Sequence, residues 1–385
     1  MAGPLAGLRV IEMAGIGPGP FACMLVADMG AEGVRVDRTS GGMSMGENPA
    51  DVMARGRKSI AVDLKNPAGV EVVLKLVESA QVIIEGFRPG VMEKLGLGPD
   101  TCLARNKSLV YGRMTGWGQQ GPLAHSAGHD INYIAITGAL ASIGRAGEAP
   151  VPPLNLVGDF GGGSLYLIMG VLAALFESQR SGEGQVVDAA ICDGAISLMA
   201  CMQGFAAMGM WDGSRREANM LDGAAHYYDS YECSDGKFIC IGSIEPQFYA
   251  LLSETLGVDI GEPGFDTQFD KSQWPVRKQV VADAFRQKTQ AQWCELMEGT
   301  DICFAPVLDM SEAPLHPHNV ARQNFIEVEG VVQTAPAPRF SRTQGQAGRP
   351  AVAPGNDSRE ILQGLGLGAA DVAQLLETGA VGQPS

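Results

Sequence analysis

The sequence predicts an α/β fold, with a large Rossmann-like domain built on a parallel sheet and a smaller α+β domain. Three observations support this prediction. Strand and helix patterns alternate through the first third of the chain, a hairpin pattern appears later, and 385 residues exceed what one compact core of ordinary size accommodates. We place the smaller domain at residues 226–312.

The first strand–helix–strand pattern lies near the N-terminus. Residues 8–13 (LRVIEM) have the apolar character of a buried strand, residues 21–29 form a helical pattern, and residues 33–37 (GVRVD) form a second strand pattern. A βαβ unit of this kind requires parallel strands.

The same alternation continues with strand patterns at 59–64, 81–87 and 109–116 and a helical pattern at 67–79. Because helices recur between the strands, the first part of the chain is predicted to be an open α/β sheet.

Two long helices are predicted in the middle of the chain. One opens at Asp159, a favourable N-cap residue, and ends at the glycines of SGEG (181–184), and the other covers 188–210. The most apolar run, Leu165 to Phe176, is shorter than the roughly 20 residues that span a bilayer. We therefore expect a buried helix and no membrane insertion.

The smaller domain begins with a predicted hairpin. Residues 227–244 alternate polar and apolar side chains around the turn at Asp235 and Gly236, and helical patterns follow at 246–256, 275–287 and 289–299. Antiparallel strands followed by helices are typical of an α+β domain.

The charge and cysteine content argue against two broad classes of protein. A net charge of −15 opposes general nucleic-acid binding, which needs clustered lysines and arginines. The eight cysteines are scattered without C-x-x-C spacing, as expected of reduced thiols in a cytoplasmic protein. The N-terminal residues lack the basic and apolar regions of a signal peptide.

A turn rich in glycine and proline, AGIGPGP (14–20), follows the first strand. Its G-x-G-x-G spacing departs from the dinucleotide fingerprint G-x-G-x-x-G, and its prolines remove two N–H donors that a phosphate would use. The pattern does not favour a nicotinamide cofactor, although Asp37 closes the second strand. A rigid turn and the lining of a ligand channel remain open alternatives.

A run of basic residues in this acidic chain predicts either an anionic-ligand site or a solvated face. Arg38, directly after the second strand, suits a bidentate contact to a phosphate. The other members of the run are Arg55, Arg57, Lys58, Lys65, Arg88 and Lys94. His316 and His318 form an H-x-H pair without an evident third ligand, so we expect no metal site.

The segment AGHDINY (127–133) sets His129 beside Asp130 directly before an apolar helical pattern. Asp130 is therefore a candidate N-cap of that helix, as Asp159 is of the later one. Exposed N–H groups and the dipole at a helix N-terminus stabilise negative charge. Two acid/base groups at helix N-termini suit a reaction in which an anion develops between them.

Many segments in order along the chain resemble the family III CoA-transferases and, within that superfamily, the α-methylacyl-CoA racemases. The resemblance covers about residues 1–345 and weakens over the last 40. Its segments are PLAGLRVIEMAGIGPGP, VRVDR, VDLK, GFRPGVMEKLGLGP, MTGWGQ, AGHDINY, PVPPLNLVGDFGGGS, GEGQVVDA, NMLDGAAHYYD, IEPQFY and PAPRFSRT.

The resemblance implies a subunit interlocked with its partner in a homodimer. The large domain would be discontinuous and formed by residues 1–187 and 322–385, with 188–225 and 313–321 as linkers to the small domain. Acyl-CoA would bind between the large and small domains as the substrate, and no cofactor would be required.

The resemblance also implies the site residues. The two proton-transfer residues fall on His129 and Asp159, with Asp130 beside the histidine and Glu245 as a carboxylate supplied by the small domain. The acyl-CoA contacts fall on Ile16, Arg38, Val62, Asp63, Leu64, Lys65, Arg88, Lys94, Gly128, Ile131, Asn132 and Tyr133.

The residue types suit the chemistry of such a racemase. Inverting the carbon next to a thioester removes its α-proton from one face and returns a proton to the other through an enolate, which requires two acid/base groups. An imidazole, which titrates at about pH 6.5, suits this role. Asp159 must carry a proton when it acts as the acid, so burial or a neighbouring carboxylate has to raise its pKa.

Two alternatives remain open. In CoA-transferases an aspartate at the position of Asp159 is a nucleophile that forms an acyl-enzyme, whereas His129 and Glu245 suit proton transfer. A non-catalytic acyl-CoA-binding subunit would need Arg38 but neither proton-transfer residue. One departure from the family pattern is His226, which stands where proline is expected.

Overall fold

A computed structural model describes residues 3–40, 48, 50–264 and 266–384. The chain folds into two compact units, each formed from more than one segment. Unit 1 comprises Met1–Thr137, Leu154–Leu198 and Arg322–Ser385, and unit 2 comprises Gly138–Pro153 and Met199–Ala321.

The strands of the described residues are numbered in chain order. They are β1 (Arg9–Met13), β2 (Glu32–Asp37), β3 (Arg57–Val62), β4 (Val82–Glu85), β5 (Val110–Thr115), β6 (Val186–Ala190), β7 (Tyr228–Glu232), β8 (Phe238–Gly242), β9 (Phe304–Val307), β10 (Phe325–Val328), β11 (Val331–Thr334) and β12 (Val381–Gly382).

The α-helices are numbered in the same way. They are α1 (Pro18–Asp28), α2 (Pro67–Ser79), α3 (Val91–Lys94), α4 (Pro99–Arg105), α5 (Asp130–Ala135), α6 (Ala139–Ser142), α7 (Leu165–Ser181), α8 (Ile191–Leu198), α9 (Ala200–Ala207), α10 (Pro246–Leu256), α11 (Trp274–Phe285), α12 (Gln290–Met297), α13 (Pro317–Ala321), α14 (Ser358–Gly364) and α15 (Ala369–Glu377). A π-helical segment, Leu156–Ser164, leads directly into α7, and Val52–Ala54 and Ala313–Leu315 form 3₁₀ turns.

Unit 1 is built on a sheet whose strand order, over the described residues, is β12-β3-β2-β1-β4-β5-β6. Strands β1 to β6 run parallel to their neighbours, and β12 pairs antiparallel with β3 at one edge. The order of the six parallel strands is that of a Rossmann fold. The predicted α/β fold with a parallel sheet is confirmed.

The sheet of unit 1 has a hydrophobic core on each face. Ile11 and Ile83 belong to the core that packs on α2, whereas Val10 and Val82 belong to the core that packs on α1 and α7. Successive side chains of a strand point to opposite faces. Because both faces are covered by helices, the strands are apolar at consecutive positions, as the sequence shows.

The last part of the chain completes unit 1. The guanidinium of Arg55 donates to Oε1 of Gln333 at 2.7 Å and to the carbonyl O of Thr334 at 2.9 Å, which ties β11 to the sheet domain. The Ser59 backbone N–H, in β3, donates to Oδ2 of Asp357 at 2.8 Å. Residues more than 270 positions apart in sequence therefore share one folding unit.

Unit 2 has an antiparallel sheet, ordered β7-β8-β9 among the described residues, with α10, α11 and α12 packed on a shared core. Tyr227, Tyr249, Phe285 and Trp293 fill that core. The predicted hairpin is formed by β7 and β8, and Gly236 in its turn has φ +76°, a conformation that favours glycine. The smaller unit is therefore an α+β domain, as predicted.

Two segments that the sequence assigns to the large domain or to a linker belong to unit 2. Residues 138–153 are predicted in the large domain, but Arg145 donates to the carboxylate of Asp229 at 2.7 Å and of Glu217 at 3.1 Å, both in unit 2. The predicted linker 313–321 is also part of unit 2.

The predicted linker 188–225 is divided between the two units. Residues up to Leu198 belong to unit 1 because α8 packs closely on the π-helical segment, where Gly194 faces the carbonyl of Gly162. The remaining residues, from Met199, belong to unit 2. The helix predicted over 188–210 is instead the end of β6 followed by α8 and α9.

The long central helix begins three residues earlier than predicted, and it is less buried than predicted. The continuous helical stretch Leu156–Ser181 is 26 residues long and apolar enough, by length and composition, to cross a membrane, and 44% of its most apolar window is buried. Core helices of soluble proteins have the same length and composition, and Leu167 and Val171 pack in the sheet core. The prediction of a buried helix holds for one face, since Met169 and Phe176 are exposed.

Candidate active site

The segments predicted to bind CoA follow the carboxyl ends of neighbouring parallel strands. Arg38 follows β2, and Asp63, Leu64 and Lys65 follow β3, which pairs with β2. Arg88 comes three residues after the end of β4. Ligands of open α/β sheets bind at this edge, where the strands end together. The topology therefore brings these segments to one edge of the sheet.

Four of the predicted basic contacts are free to meet an anion. Arg38, Lys65, Arg88 and Lys94 are exposed, and none of them has an ion-pair partner among the residues that the structure describes. A solvated cation without a carboxylate partner retains its charge for a phosphate.

Other members of the basic run have structural partners. Arg55 forms a buried ion pair with Asp28 at 2.5 Å, and Arg57 forms one with Glu12 at 2.9 Å. Nζ of Lys58 lies 2.8 Å from Oε1 of Glu360 in α14. Arg57 therefore joins β3 to β1 and Arg55 binds α1, so neither buried arginine contributes to an anionic-ligand site.

The position of Val62 in the fold limits its predicted contact with acyl-CoA. It is the last residue of β3, 1% exposed, and its side chain lies in the sheet core. Only its backbone can therefore meet a ligand. Lys65, three residues later, is exposed, and its N–H donates to Oδ1 of Asp63 at 2.9 Å.

His129 lies at the start of α5, and its side chain is not enclosed by the core. Its backbone N–H donates to Oδ1 of Asn132 at 3.0 Å, and the hydroxyl of Tyr133 donates to the carbonyl O of Gly128. The Tyr133 ring packs edge-on against Trp117, with ring centroids 4.9 Å apart. The backbone on both sides of His129 is thereby fixed by side chains of its own helix.

Asp159 lies inside the π-helical segment, so its predicted role as a helix N-cap is wrong. The N–H of Phe160 donates to the carbonyl O of Asn155 at 3.2 Å, five residues back, which is the π-helical pattern. The side-chain amide of Asn155 donates to Oδ2 of Asp159 at 3.3 Å. The helix begins three residues before Asp159, because the glycines around it allow an extra residue in the turn.

The glycine and proline turn after β1 lies beside Asp159. Gly17 has φ +69°, and a Cβ there would lie 3.1 Å from Oδ2 of Asp159. Pro18 opens α1, and Ile16 is 57% exposed. The turn therefore lies against the Asp159 carboxylate, and its prolines remove two of the N–H donors that a phosphate loop would use.

Asp130 is not the N-cap of its own helix, contrary to the prediction, because His129 occupies that position. Its Oδ1 instead accepts the backbone N–H of Asp159 at 2.6 Å, and the carboxylate also accepts that of Gly158. Asp130 is buried, and its Oδ2 has no hydrogen-bond partner among the described side chains and backbone groups. Asp130 therefore caps the π-helical segment that carries Asp159.

The pKa of Asp159 is raised, as the proposed chemistry requires. Burial is the main cause, the Asn155 amide lowers the pKa, the charge of Asp130 raises it, and the imidazole of His129 lowers it. Burial also raises the pKa of Asp130, although the N–H groups of Asp159 and Gly158 stabilise its ionised form. His129, Asp130 and Asp159 are therefore electrostatically coupled within unit 1.

A cavity of about 380 Å³ opens beside His129. Its walls come from residues 86–89, 115–117, 124, 126–129 and 132–133, which include Arg88 and three aromatic rings. Binding sites typically combine such an apolar wall with a few polar groups that fix the ligand's orientation. His129 and Asn132 supply polar groups here.

Glu245 and Ile131 are the remaining predicted site residues. Glu245 is exposed at the N-cap of α10, in unit 2, so its approach to His129 stays a prediction. Ile131 is 43% exposed on α5. Among the described residues no cluster of three or more His, Cys, Asp or Glu side chains that could hold a metal ion is found.

Two residues near the site were not predicted from the sequence. Asn155 is four residues before Asp159, a spacing that places both on one side of a helix. Trp117 follows β5 at the same sheet edge as the other contacts and lines the cavity. Asn155 could have been found from its helical spacing to Asp159, and Trp117 from its position directly after a strand of the parallel sheet.

Comparisons with known proteins agree with this geometry. Residues 5–358 match the family described as CoA-transferase family III. The chain is 46% identical over 375 residues to alpha-methylacyl-CoA racemase of Mus musculus, with 96% of each chain covered. It is 41% identical over 379 residues to alpha-methylacyl-CoA racemase of Homo sapiens, again with 96% of each covered.

The fold is also that of a solved structure. A CaiB/BaiF family protein from Brucella suis matches with a TM-score of 0.79 and 25% identity, covering 95% of this chain and 100% of that one. The sheet order, the site at its carboxyl edge and these matches lead to one assignment: the chain belongs to CoA-transferase family III.

Proposed function

We propose that this protein interconverts the 2R and 2S epimers of 2-methylacyl-CoA thioesters. The observation that carries the proposal is the pairing of His129 with Asp159, a carboxyl whose pKa burial raises, at the carboxyl edge of the sheet. The high identity to two proteins named alpha-methylacyl-CoA racemase supports the same reaction.

Proton transfer runs between these two groups. Neutral His129 takes the α-proton from one face of C2, and the electron pair of the C–H bond moves into the thioester carbonyl to form an enolate. Protonated Asp159 then gives its proton to the other face of C2, leaving an imidazolium and a carboxylate. The reverse epimerisation starts from that protonation state, so one pair serves both directions. No cofactor takes part in these steps.

Stabilisation of the enolate falls to the start of α5. The N–H groups of Gly158 and Asp159 are already bonded to Asp130 and are not free to bind an oxyanion. The N–H groups of Asp130 and Ile131, in the first turn of α5, remain as donors for the enolate oxygen.

The CoA moiety carries phosphate groups, whose negative charge suits exposed cations. We assign them to Arg38, Lys65, Arg88 and Lys94, which are the exposed basic residues near the sheet edge. The apolar wall of the cavity beside His129 suits the uncharged part of the substrate. Because exposed cations act through screened charge, substrate affinity should fall as salt rises.

The protein is proposed to act as a homodimer. Leu165, Met169 and Phe176 lie on one face of α7 and are 52%, 60% and 63% exposed, and Ile196 and Leu198 in α8 are also exposed. A contiguous apolar face of this kind usually marks an interface.

The test is isotope exchange. A single epimer of a 2-methylacyl-CoA incubated in deuterated water is expected to yield both epimers with deuterium at C2. His129→Ala and Asp159→Asn should each lower exchange by at least about 100-fold, since each removes one acid/base group. His318→Ala, which removes an exposed histidine in unit 2, is the control and should exchange at the wild-type rate.

Two outcomes would contradict the proposal. Exchange that persists in the double variant of His129 and Asp159 would exclude them as the proton-transfer pair. Transfer of CoA to a free carboxylic acid, with an acyl group on Asp159 that hydroxylamine removes and with no deuterium at C2, would identify a CoA-transferase instead.

A further inference from the structure

We infer that Asp130 is a positioning residue for proton transfer at Asp159: it fixes the backbone that carries Asp159 and places a second buried carboxylate beside it. This inference rests on the proposed function, because it assigns a role within the same proton transfer. It also separates Asp130 from the groups that touch the substrate.

Asp130 contacts the backbone that carries Asp159. The Asp130 carboxylate accepts the N–H groups of Asp159, at 2.6 Å from Oδ1, and of Gly158, although Asp130 and Asp159 are 29 positions apart in sequence. A π-helical turn is rare and needs specific support for its unpaired N–H groups. Asp130 provides that support at the residue whose side chain moves the proton.

Gly158 makes this contact possible. A Cβ at position 158 would lie 2.2 Å from Oδ1 of Asp130, which is closer than any side chain tolerates, and 3.0 Å from Cγ2 of Ile134. The glycine therefore allows the carboxylate to approach the backbone directly. Asp130 reaches the backbone at this position because Gly158 has no side chain.

The charge of Asp130 also acts on Asp159. Asp130 is 9% exposed, and its Oδ2 has no hydrogen-bond partner among the residues described. The carboxylate accepts two N–H groups, which favour the ionised form. A negative charge on Asp130 opposes ionisation of Asp159.

Few other charged groups act on Asp159. Within the described part of unit 1 the imidazole of His129 also acts on it and lowers its pKa. Burial raises the pKa of the Tyr133 hydroxyl, the charge of Asp159 raises it further, and Arg88 lowers it. Asn155 donates a hydrogen bond to the Asp159 carboxylate and so acts in the direction opposite to Asp130. Variants of Asp130 and Asn155 should therefore shift the pKa of Asp159 in opposite directions.

The main variant is Asp130→Asn. The amide oxygen can still accept the N–H groups, whereas the negative charge is lost. We expect the fold and the KM for acyl-CoA to be kept, kcat to fall by about tenfold at neutral pH, and the pH–rate profile to move to lower pH by about one unit. Asn155→Leu should move the Asp159 limb of the profile to higher pH.

Gly158→Ala tests the geometry with both carboxyl groups intact. Its Cβ should displace Asp130 and lower kcat at least as much as Asp130→Asn. Asp235→Asn is the matched control, because the Asp235 carboxylate accepts the N–H of Gln290 at the start of α12 at 3.3 Å but lies in unit 2. This control should leave kcat and the pH profile unchanged.

Titration of the Asp159 carboxyl carbon by ¹³C NMR, assigned through Asp159→Asn, measures the same effect without substrate. Its midpoint should fall by about one unit in Asp130→Asn and rise in Asn155→Leu. Coincident midpoints in wild type and Asp130→Asn would overturn the inference. Absence of C2 exchange in the wild type would instead overturn the proposed function and leave the NMR result to decide the role of Asp130.

Discussion

The imidazole of His226 is fully enclosed in the core of unit 2. It is 0% exposed, and its Nε2 lies 2.7 Å from the hydroxyl of Tyr249, which itself donates to the carbonyl O of Ile260. The Tyr249 hydroxyl therefore accepts from Nε2–H, which fixes the tautomer. Burial, aided by the charge of Arg277, lowers the pKa of His226 to about 3. The residue is neutral throughout the physiological range.

This burial makes the stability of the protein depend on pH. An unfolded histidine binds a proton at about pH 6.5, whereas folded His226 does so only at about pH 3, so stability is lost as the pH falls through that window. Wild type should lose about 2 kcal/mol of unfolding free energy between pH 7 and pH 5 from this residue alone. Urea titrations of wild type and His226→Gln at both pH values measure the loss.

In that experiment the unfolding free energy of His226→Gln should fall between pH 7 and pH 5 by about 2 kcal/mol less than that of the wild type. His318→Gln, at an exposed site, is the control and should follow the wild type. Equal pH dependence in wild type and His226→Gln would show that His226 is not the group responsible.

The sequence predicted which residue types carry the chemistry but not their local roles. His129, Asp130 and Asp159 were all identified, yet both aspartates were assigned as caps of their own helices. An aspartate before an apolar run fits an N-cap equally well in either segment, and sequence does not show that Asp130 reaches a helix 29 positions away. Long-range hydrogen bonds of this kind depend on packing that no local pattern encodes.

At the scale of elements, the π-helical segment depends on the glycines that pack it against α8. A Cβ on Gly194 would lie 1.9 Å from the carbonyl O of Gly162, and one on Gly162 would lie 2.7 Å from the N of Ala195. The two backbones are in direct contact, so neither can yield to a methyl group. This contact holds the helix that positions Asp159.

Gly194→Ala should therefore destabilise the protein by about 3 kcal/mol and lower racemisation, because the backbone of the π-helical segment must move. Gly204→Ala is the matched control, since Gly204 is also in a helix and a methyl group there would have no atom within 4 Å. It should be neutral or stabilise by up to about 1 kcal/mol. Thermal unfolding and C2 exchange of both variants compare the two sites.

Element boundaries were predictable where a strong local signal exists. Helix α2 was predicted at its observed limits because Asn66 caps it and Pro67 opens it, and α10 opens at Pro246 in the same way. The helix predicted over 188–210 was wrong because the small apolar residues of β6 continue without a break into α8. The pairing of β12 with β3 was not predicted, since a two-residue strand carries no periodic pattern.

At the scale of the whole molecule, buried ion pairs connect distant parts of unit 1. Arg55 is 2% exposed and binds Asp28, Gln333 and the carbonyl of Thr334, so one side chain joins α1 to the C-terminal hairpin. Removing one partner of a buried pair leaves the other charge without compensation. The pair therefore enforces the discontinuous organisation of this unit.

Arg55→Ala should lower the unfolding free energy by about 3 to 5 kcal/mol, because it leaves the buried Asp28 carboxylate unpaired. Arg105→Ala is the control, since Arg105 pairs with Glu71 and Glu78 on the surface, and it should cost much less than Arg55→Ala. Chemical denaturation of both variants compares the two costs. Equal losses would show that the Arg55 contacts do not hold the C-terminal segment in place.

Unit 1 is completed by the last residues of the chain, Arg322–Ser385, and this affects how the protein folds during synthesis. The ribosome makes residues 199–321 of unit 2 before it makes Asp357, which binds Ser59, and before β12, which covers the edge of β3. β12 therefore cannot pair with β3 until the last residues of the chain have been made. A premature stop or a frameshift near the C-terminus would damage the sheet at the N-terminus, and such products should be recognised by quality-control proteases as incompletely folded.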